Sequence, residues 1–133
     1  MLKRFSAKGF RCLYDMQIDL EPLTILIGPN DSGKSSILDC LSMLSRICNG
    51  ELGSAKHFSG KHDPLKNMTK SKGKKNMLLK AMYDHPSSRH EDVDYSIGLA
   101  ENLERGGAQI ESEVLKFGDR EIWWRSAGEG QGS

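Results

Sequence analysis

The chain is poor in cysteine and proline, has no long apolar run, and leans toward neither sign of charge. Each shortage excludes something. The three cysteines, Cys12, Cys40 and Cys48, are odd in number and form no C-x-x-C pair. A disulfide framework is therefore not expected, and a reducing, cytoplasmic setting is. No stretch approaches the ~18 apolar residues of a membrane span. The basic start MLKRF is not followed by the apolar core of a secretory signal. Nineteen Lys and Arg against 18 Asp and Glu leave a formal net charge of +1, so only a local patch could meet an anionic partner. The balance, 37% hydrophobic and 28% charged residues over 133 positions, suits one soluble domain that buries roughly 68% of its unfolded surface.

Periodicity divides the chain into elements. LKRFSAK, Leu2 to Lys8, reads as a strand of imperfect alternation, with Gly9 allowing a turn. MQIDL, Met16 to Leu20, alternates cleanly and predicts a half-buried strand. LTILI, Leu23 to Ile27, is apolar on both faces, as expected of a central strand covered on both sides. A helix is expected from about Lys34 to Ile47. Ile37, Leu41, Leu44 and Cys48 form its stripe, Leu38, Cys40 and Ile47 widen it, and Asn49-Gly50 ends it. Cys40 and Cys48 read as small core residues on this helix, which is expected to pack on more than one side.

Residues 51–76 show little periodicity and hold Lys61, Lys66, Lys70, Lys72, Lys74 and Lys75. They predict a long exposed loop, with room for a short helix. NMLLKAMYD, from Asn76, suits a helix by residue type and a strand by its neighbours. VDYSIGL, AQIESEVLKF and EIWWR read as antiparallel strands, joined by a turn at Glu104 to Gly107 and a two-residue turn at Gly118-Asp119. The organisation expected is one lobe over 1–126 with the Lys-rich loop inserted, followed by a flexible tail over 127–133.

The chemistry lies in Gly28-Pro29-Asn30-Asp31-Ser32-Gly33-Lys34-Ser35, which fits G-x-x-x-x-G-K-[ST] at every fixed position. It follows a predicted strand and opens a predicted helix, the context that this phosphate-binding loop needs. Backbone N–H groups and the positive end of the helix dipole hold phosphate oxygens. Gly28 and Gly33 let the backbone turn close to the ligand. Lys34 sets a cation against the β- and γ-phosphates and is the candidate catalytic residue. Ser35 offers a hydroxyl to Mg²⁺, and Ser36 a donor to the α-phosphate. Asp31 tolerates left-handed backbone and serves the loop's shape. ATP and Mg²⁺ are the ligands expected.

The first fifty residues resemble the N-terminus of ABC-type, SMC-like P-loop ATPases, the group with the RecF-like and OLD-family proteins. GFR followed by IDL-x-PLT-x-L-x-GPN-x-SGKSSILD carries the resemblance, and it is more specific than the loop alone. The fold it implies is α/β: a P-loop NTPase, first lobe of an ABC-type ATPase, with an attached antiparallel β-subdomain. It places a β-hairpin over the nucleotide, with the residues around Gly9 to Cys12 near the base or phosphates and Arg11 as the contact, a surface arginine in a turn being the alternative reading. IESEVLKFGDREIWWR is similar to the β-subdomain, which makes Trp123 and Trp124 sheet residues, one packed and one partly exposed.

In such ATPases hydrolysis also needs an apolar strand ending in Asp-Glu, a Q-loop, an LSGG-like signature and a switch His. None is evident. LLKAMYDH is interrupted by Lys80, and FSGK, from Phe58, is a poor signature. The resemblance therefore implies ATP binding, with turnover only when a second lobe or partner chain, for instance a second copy, completes the site. DNA repair, DNA maintenance and phage defence are the settings it suggests. The lysines from Lys61 to Lys75 could meet DNA phosphates, although a solvated loop explains them equally well. A non-catalytic DNA-binding or interaction module with a relic loop stays open as the alternative. A small kinase or GTPase has less support, since no base-reading motif is present. His57, His62, His85 and His90 lack the companions of a zinc site and read as surface residues.

Overall fold

The computed structural model describes residues 1–50, 63–85, 87 and 91–126. Its centre is one antiparallel sheet, with strand order β2-β1-β4-β5-β6-β7 and β3 paired with β4. The strands are β1 (Leu2–Phe10), β2 (Leu13–Asp19), β3 (Thr69–Ser71), β4 (Lys74–Asp84), β5 (Asp92–Glu101), β6 (Ala108–Phe117) and β7 (Arg120–Ser126). Two helices are described, α1 (Lys34–Cys48) and the single-turn α2 (Pro64–Asn67).

Alternation explains why the sheet has an inside. In β4, Met77, Leu79 and Ala81 are buried while Asn76 and Lys80 are exposed. In β1, Phe5 and Ala7 point inward. Gly9 does not turn the chain, as expected from sequence. It stays in β1 with φ +75°, and that left-handed step shifts the alternation so that Phe10 is also buried. A Cβ there would come within 2.5 Å of the Asn76 carbonyl oxygen, so glycine is what lets β1 and β4 approach. The hairpin turns one step later, at Arg11 (φ +48°) and Cys12, with Phe10 opposite Leu13.

Helix α1 covers the inner face. Its buried residues are Cys40, Met43, Leu44 and Ile47, an i, i+3, i+4, i+7 stripe. They meet Phe5, Ala7, Leu79, Ala81, Ile97 and Leu99 in one cluster. Each large side chain fully withdrawn from water there contributes about 1.5–3 kcal/mol. The stripe is rotated from the one expected. Cys48 is exposed rather than core, and Leu38 is 61% exposed, so α1 packs on one side and not on several.

The region expected to be a solvated loop is partly structured. Residues 51–62 lie outside those described, and so does the expected tail at 127–133. Asp63 caps α2, its side chain accepting from the Leu65 amide. β3 and β4 then form a hairpin over Lys72-Gly73, both at positive φ (49° and 81°), the geometry of a type I′ turn. NMLLKAMYD is strand, because β1 and β5 flank it on both sides.

The largest departure is LTILI. Leu23, Ile25 and Ile27 are 79%, 70% and 90% exposed, and no strand pairs with them among the described residues. A central parallel strand needs neighbours on both edges and cover on both faces. All the ladders described here are antiparallel and lie elsewhere. The α/β expectation is corrected accordingly: the described residues form a seven-stranded antiparallel sheet carrying α1, and the LTILI segment leading into the Gly28–Ser36 loop is not a strand and stands outside it.

Candidate functional site

The loop from Gly28 to Gly33 delivers the chain into α1 without side-chain help. Pro29 to Ser32 form a tight turn, the Ser32 amide donating to the Pro29 carbonyl at 3.3 Å. Asp31 is left-handed (φ +65°), consistent with a role in loop shape. Gly33, the N-cap, has φ +96°, a conformation open to glycine at no steric cost. No side chain caps α1, and no acidic residue lies in its first turn. The first amides of a long helix are thus left for a ligand, at the positive end of the dipole.

All nine residues of the expected phosphate loop have a place in this arrangement. Asn30, Asp31, Gly33, Lys34, Ser35 and Ser36, joined by Cys12, line a cavity of about 620 Å³. Gly28, Pro29 and Ser32 hold the lysine instead. The Lys34 ammonium donates to the carbonyls of Gly28 and Pro29 and to Ser32 Oγ, the last at 3.1 Å. That uses its three donors and holds the charge across the mouth of the loop. A Cβ on Gly28 would lie 2.9 Å from Ser32 Oγ, so a larger residue there would make the Ser32 hydroxyl turn away from Lys34. Ser35 is exposed, so its hydroxyl is available as a hard oxygen ligand. Backbone amides, the Lys34 ammonium and the Ser35 hydroxyl are the donor types that would hold a polyphosphate and its Mg²⁺.

Cys12 falls within the hairpin tip expected near the nucleotide, Gly9 to Cys12, and it lines the cavity; Leu13 is not expected there. They arrive through the hairpin: a Cβ on Gly33 would meet Cys12 Sγ at 3.4 Å and Leu13 Cδ2 at 3.5 Å. Cys12 Sγ also donates toward Ser36 Oγ at 3.6 Å. Arg11, expected beside the base or phosphates, is not among the residues lining the cavity. Its guanidinium donates to Asp39 and Asn67.

Other candidates resolve away from the loop. Asp84, the acid after an apolar run, faces the N-terminal ammonium and Lys3. It lies at the far end of β1, about 26 Å from the hairpin tip at ~3.3 Å per residue. His85 packs edge-on against Phe117. FSGK, His57, Lys61, His62 and His90 lie outside the described residues. Trp123 and Trp124 are both half-buried sheet residues, Trp123 beneath the Arg125 guanidinium.

A second surface is basic. Lys66, Lys70, Lys72 and Lys74 are exposed and Lys75 is half-buried. Lys70 sits directly opposite Lys75 in the β3–β4 ladder, a like-charge pairing that costs stability. Among the described residues, none of these lysines forms an ion pair. No described helix is long and apolar enough to cross a membrane.

The OLD nuclease of Thermus scotoductus is 48% identical over 44 residues, a match covering 33% of this chain and 8% of that protein. The resemblance to RecF-like and OLD-type P-loop ATPases therefore stands on more than the loop, and an ATPase-type, nucleotide-binding role comes with it. The AAA ATPase domain family matches residues 1–119, and the chain belongs to that family.

Proposed function

We propose that the chain binds Mg-ATP in the loop Gly28–Ser36, as the nucleotide-holding lobe of an SMC-, RecF- or OLD-like ATPase. One observation carries the reading: the uncapped start of α1 opens, with Lys34 and Ser35, onto a cavity sized for a ligand. The amides of the first turn receive the phosphate oxygens. The Lys34 ammonium leaves its loop carbonyls for the β- and γ-phosphates. Ser35 holds Mg²⁺ by its hydroxyl, and Ser36 reaches the α-phosphate. The metal, when bound, neutralises charge between the phosphates.

Turnover requires a second lobe or partner chain. Phosphoryl transfer depends on positioning and charge stabilisation, including a group that orients the attacking water. Among the described residues the one carboxylate lining the cavity is Asp31, and it belongs to the loop that wraps the phosphates. The exposed LTILI segment supports the same view, because it is apolar and no described strand pairs with it. Two copies closing on shared ATP is the assembly proposed, in the cytoplasm, in DNA repair, DNA maintenance or phage defence.

The test is calorimetric titration of Mg-ATP into the wild type and Lys34→Ala. The wild type is expected to bind with negligible turnover. The variant is expected to bind roughly 10-fold to 100-fold more weakly, as loss of a charged hydrogen-bond donor implies. Equal affinity in both would refute the reading, and turnover by the isolated chain would refute the need for a partner. A second reading, a DNA-binding module with a relic loop, is favoured by the Lys70–Lys75 pairing. It requires no nucleotide affinity, together with salt-dependent duplex binding lost when Lys70, Lys72, Lys74 and Lys75 are neutralised.

A further inference from the structure

An arginine at a hairpin tip would ordinarily reach into solvent or toward a ligand. Arg11 does neither, because three elements converge on it. Its Nη1 donates to Asp39 Oδ2 of α1 at 2.7 Å, and its Nε to Asn67 Oδ1 of α2 at 2.7 Å. Its backbone joins the same contact. The Arg11 amide donates to the Asn67 carbonyl at 2.8 Å, and the Arg11 carbonyl accepts from Thr69 Oγ1 at 2.9 Å. The guanidinium carbon also lies 5.1 Å from the centre of the Phe10 ring. Asn67 is itself buried, with its amide nitrogen donating to the Asp63 carbonyl.

Asp39 lies three residues after Ser36, so both share one face of α1. The Arg11–Asp39 bond therefore draws the hairpin tip onto the face that carries a phosphate ligand. The next residue, Cys12, then rests against Ser36 and Gly33 as part of the cavity wall. The tip is shaped by two left-handed or tight positions, Gly9 and Arg11, and neither would orient it without an anchor on α1.

We propose that Arg11 is a positioning residue. By bridging Asp39 and Asn67 it seats the β1–β2 tip on the first turns of α1, and so fixes one wall of the phosphate cavity without touching the nucleotide. This rests on the nucleotide reading above for its ligand, but not for its geometry. Because α2 leads directly into β3, the same bridge ties the basic β3–β4 hairpin to the helix that holds the phosphates.

The experiment has two arms, both on the full chain. In the first, Mg-ATP affinity is measured for Arg11→Ala, Asp39→Asn and the double variant. Both single changes are expected to weaken binding roughly tenfold, a coupling of about 1.4 kcal/mol, and the double is expected to be no worse than either. Asp39→Glu, which restores the carboxylate, recovers most of the affinity. If Arg11 bound phosphate directly, Asp39→Asn would leave affinity intact or raise it by freeing the guanidinium. That result would overturn the proposal. In the second arm, hydrogen exchange of the Arg11 amide is followed without nucleotide. It is expected to quicken in Asp39→Asn and to be restored in Asp39→Glu. Unchanged exchange overturns the bridge whatever the titration shows. Failure of the wild type to bind Mg-ATP would instead refute the nucleotide reading and leave the exchange arm to decide. Should Arg11→Ala fail to fold, Arg11→Lys, which keeps the charge but loses the planar fork, replaces it.

Discussion

The sheet face beneath α1 and the stretch from Leu23 to Ser36 are built from similar material and end in opposite states. Both begin with apolar runs. Under α1, Phe5, Leu79, Ile97 and Leu99 are fully buried, held by ladders on both sides and a helix above. In the second region, Leu23, Ile25 and Ile27 are among the most exposed apolar residues described. The difference lies not in hydrophobicity but in neighbours. A strand satisfies its backbone only if another strand lies beside it, and the antiparallel sheet uses its own strands on one another. The contrast separates a region that stabilises the fold from one whose apolar side chains the described strands leave uncovered.

The largest expected effect tests the closed region. Phe5→Ala empties the centre of the cluster and should cost about 3–5 kcal/mol in urea unfolding. A loss below 1 kcal/mol, on the order of a surface change, would show that this face is not the organising core.

A medium effect probes the same core by pH. Burial beneath α1 pushes the Cys40 thiol up to about 12 from an ordinary 9.0. Above pH 9 the unfolded chain gives up this proton while the folded chain keeps it. The unfolded state then binds fewer protons, so stability falls between pH 9 and about 12, by up to about 1.4 kcal/mol per pH unit. Cys48, Tyr83 and Tyr95, each raised chiefly by burial, act in the same direction. The informative quantity is therefore the difference from Cys40→Ala, whose alkaline slope should be shallower. Parallel curves would count against a tightly packed Cys40.

The smallest effect belongs to the open region. Ile25→Ser should change unfolding stability by less than about 0.5 kcal/mol, as for other exposed positions, while reducing self-association in sedimentation velocity. A large loss of stability would mean that LTILI is covered after all and the contrast is false.

Much of this was legible from sequence. The phosphate loop, the extent of α1, and the strands around MQIDL, VDYSIGL and EIWWR follow from period and punctuation, which are local signals. Four things were not, or only in part. LTILI carries the pattern of a buried strand, but burial is a property of neighbours that the pattern cannot supply. NMLLKAMYD was ambiguous because β4 is decided by β1 and β5, both remote in sequence. Arg11 could be placed near the site, but not assigned to Asp39 and Asn67, since those contacts span 28 and 56 residues of chain. Cys12 could be placed near the site with the rest of the hairpin tip, but its contacts with Gly33 and Ser36 come from a hairpin folding back on a helix.

The hold of Lys34 on its own loop has one more consequence. With its three donors satisfied by Gly28, Pro29 and Ser32, the ammonium already holds oxygen partners that the proposed ligand would have to displace. Entry of a polyphosphate is then an exchange of oxygens rather than a fresh capture, and its heat should be smaller than the new bonds to phosphate alone would suggest. Truncating the side chain in Lys34→Ala removes the ammonium and its three loop contacts together, so the affinity it loses includes a change in the empty loop.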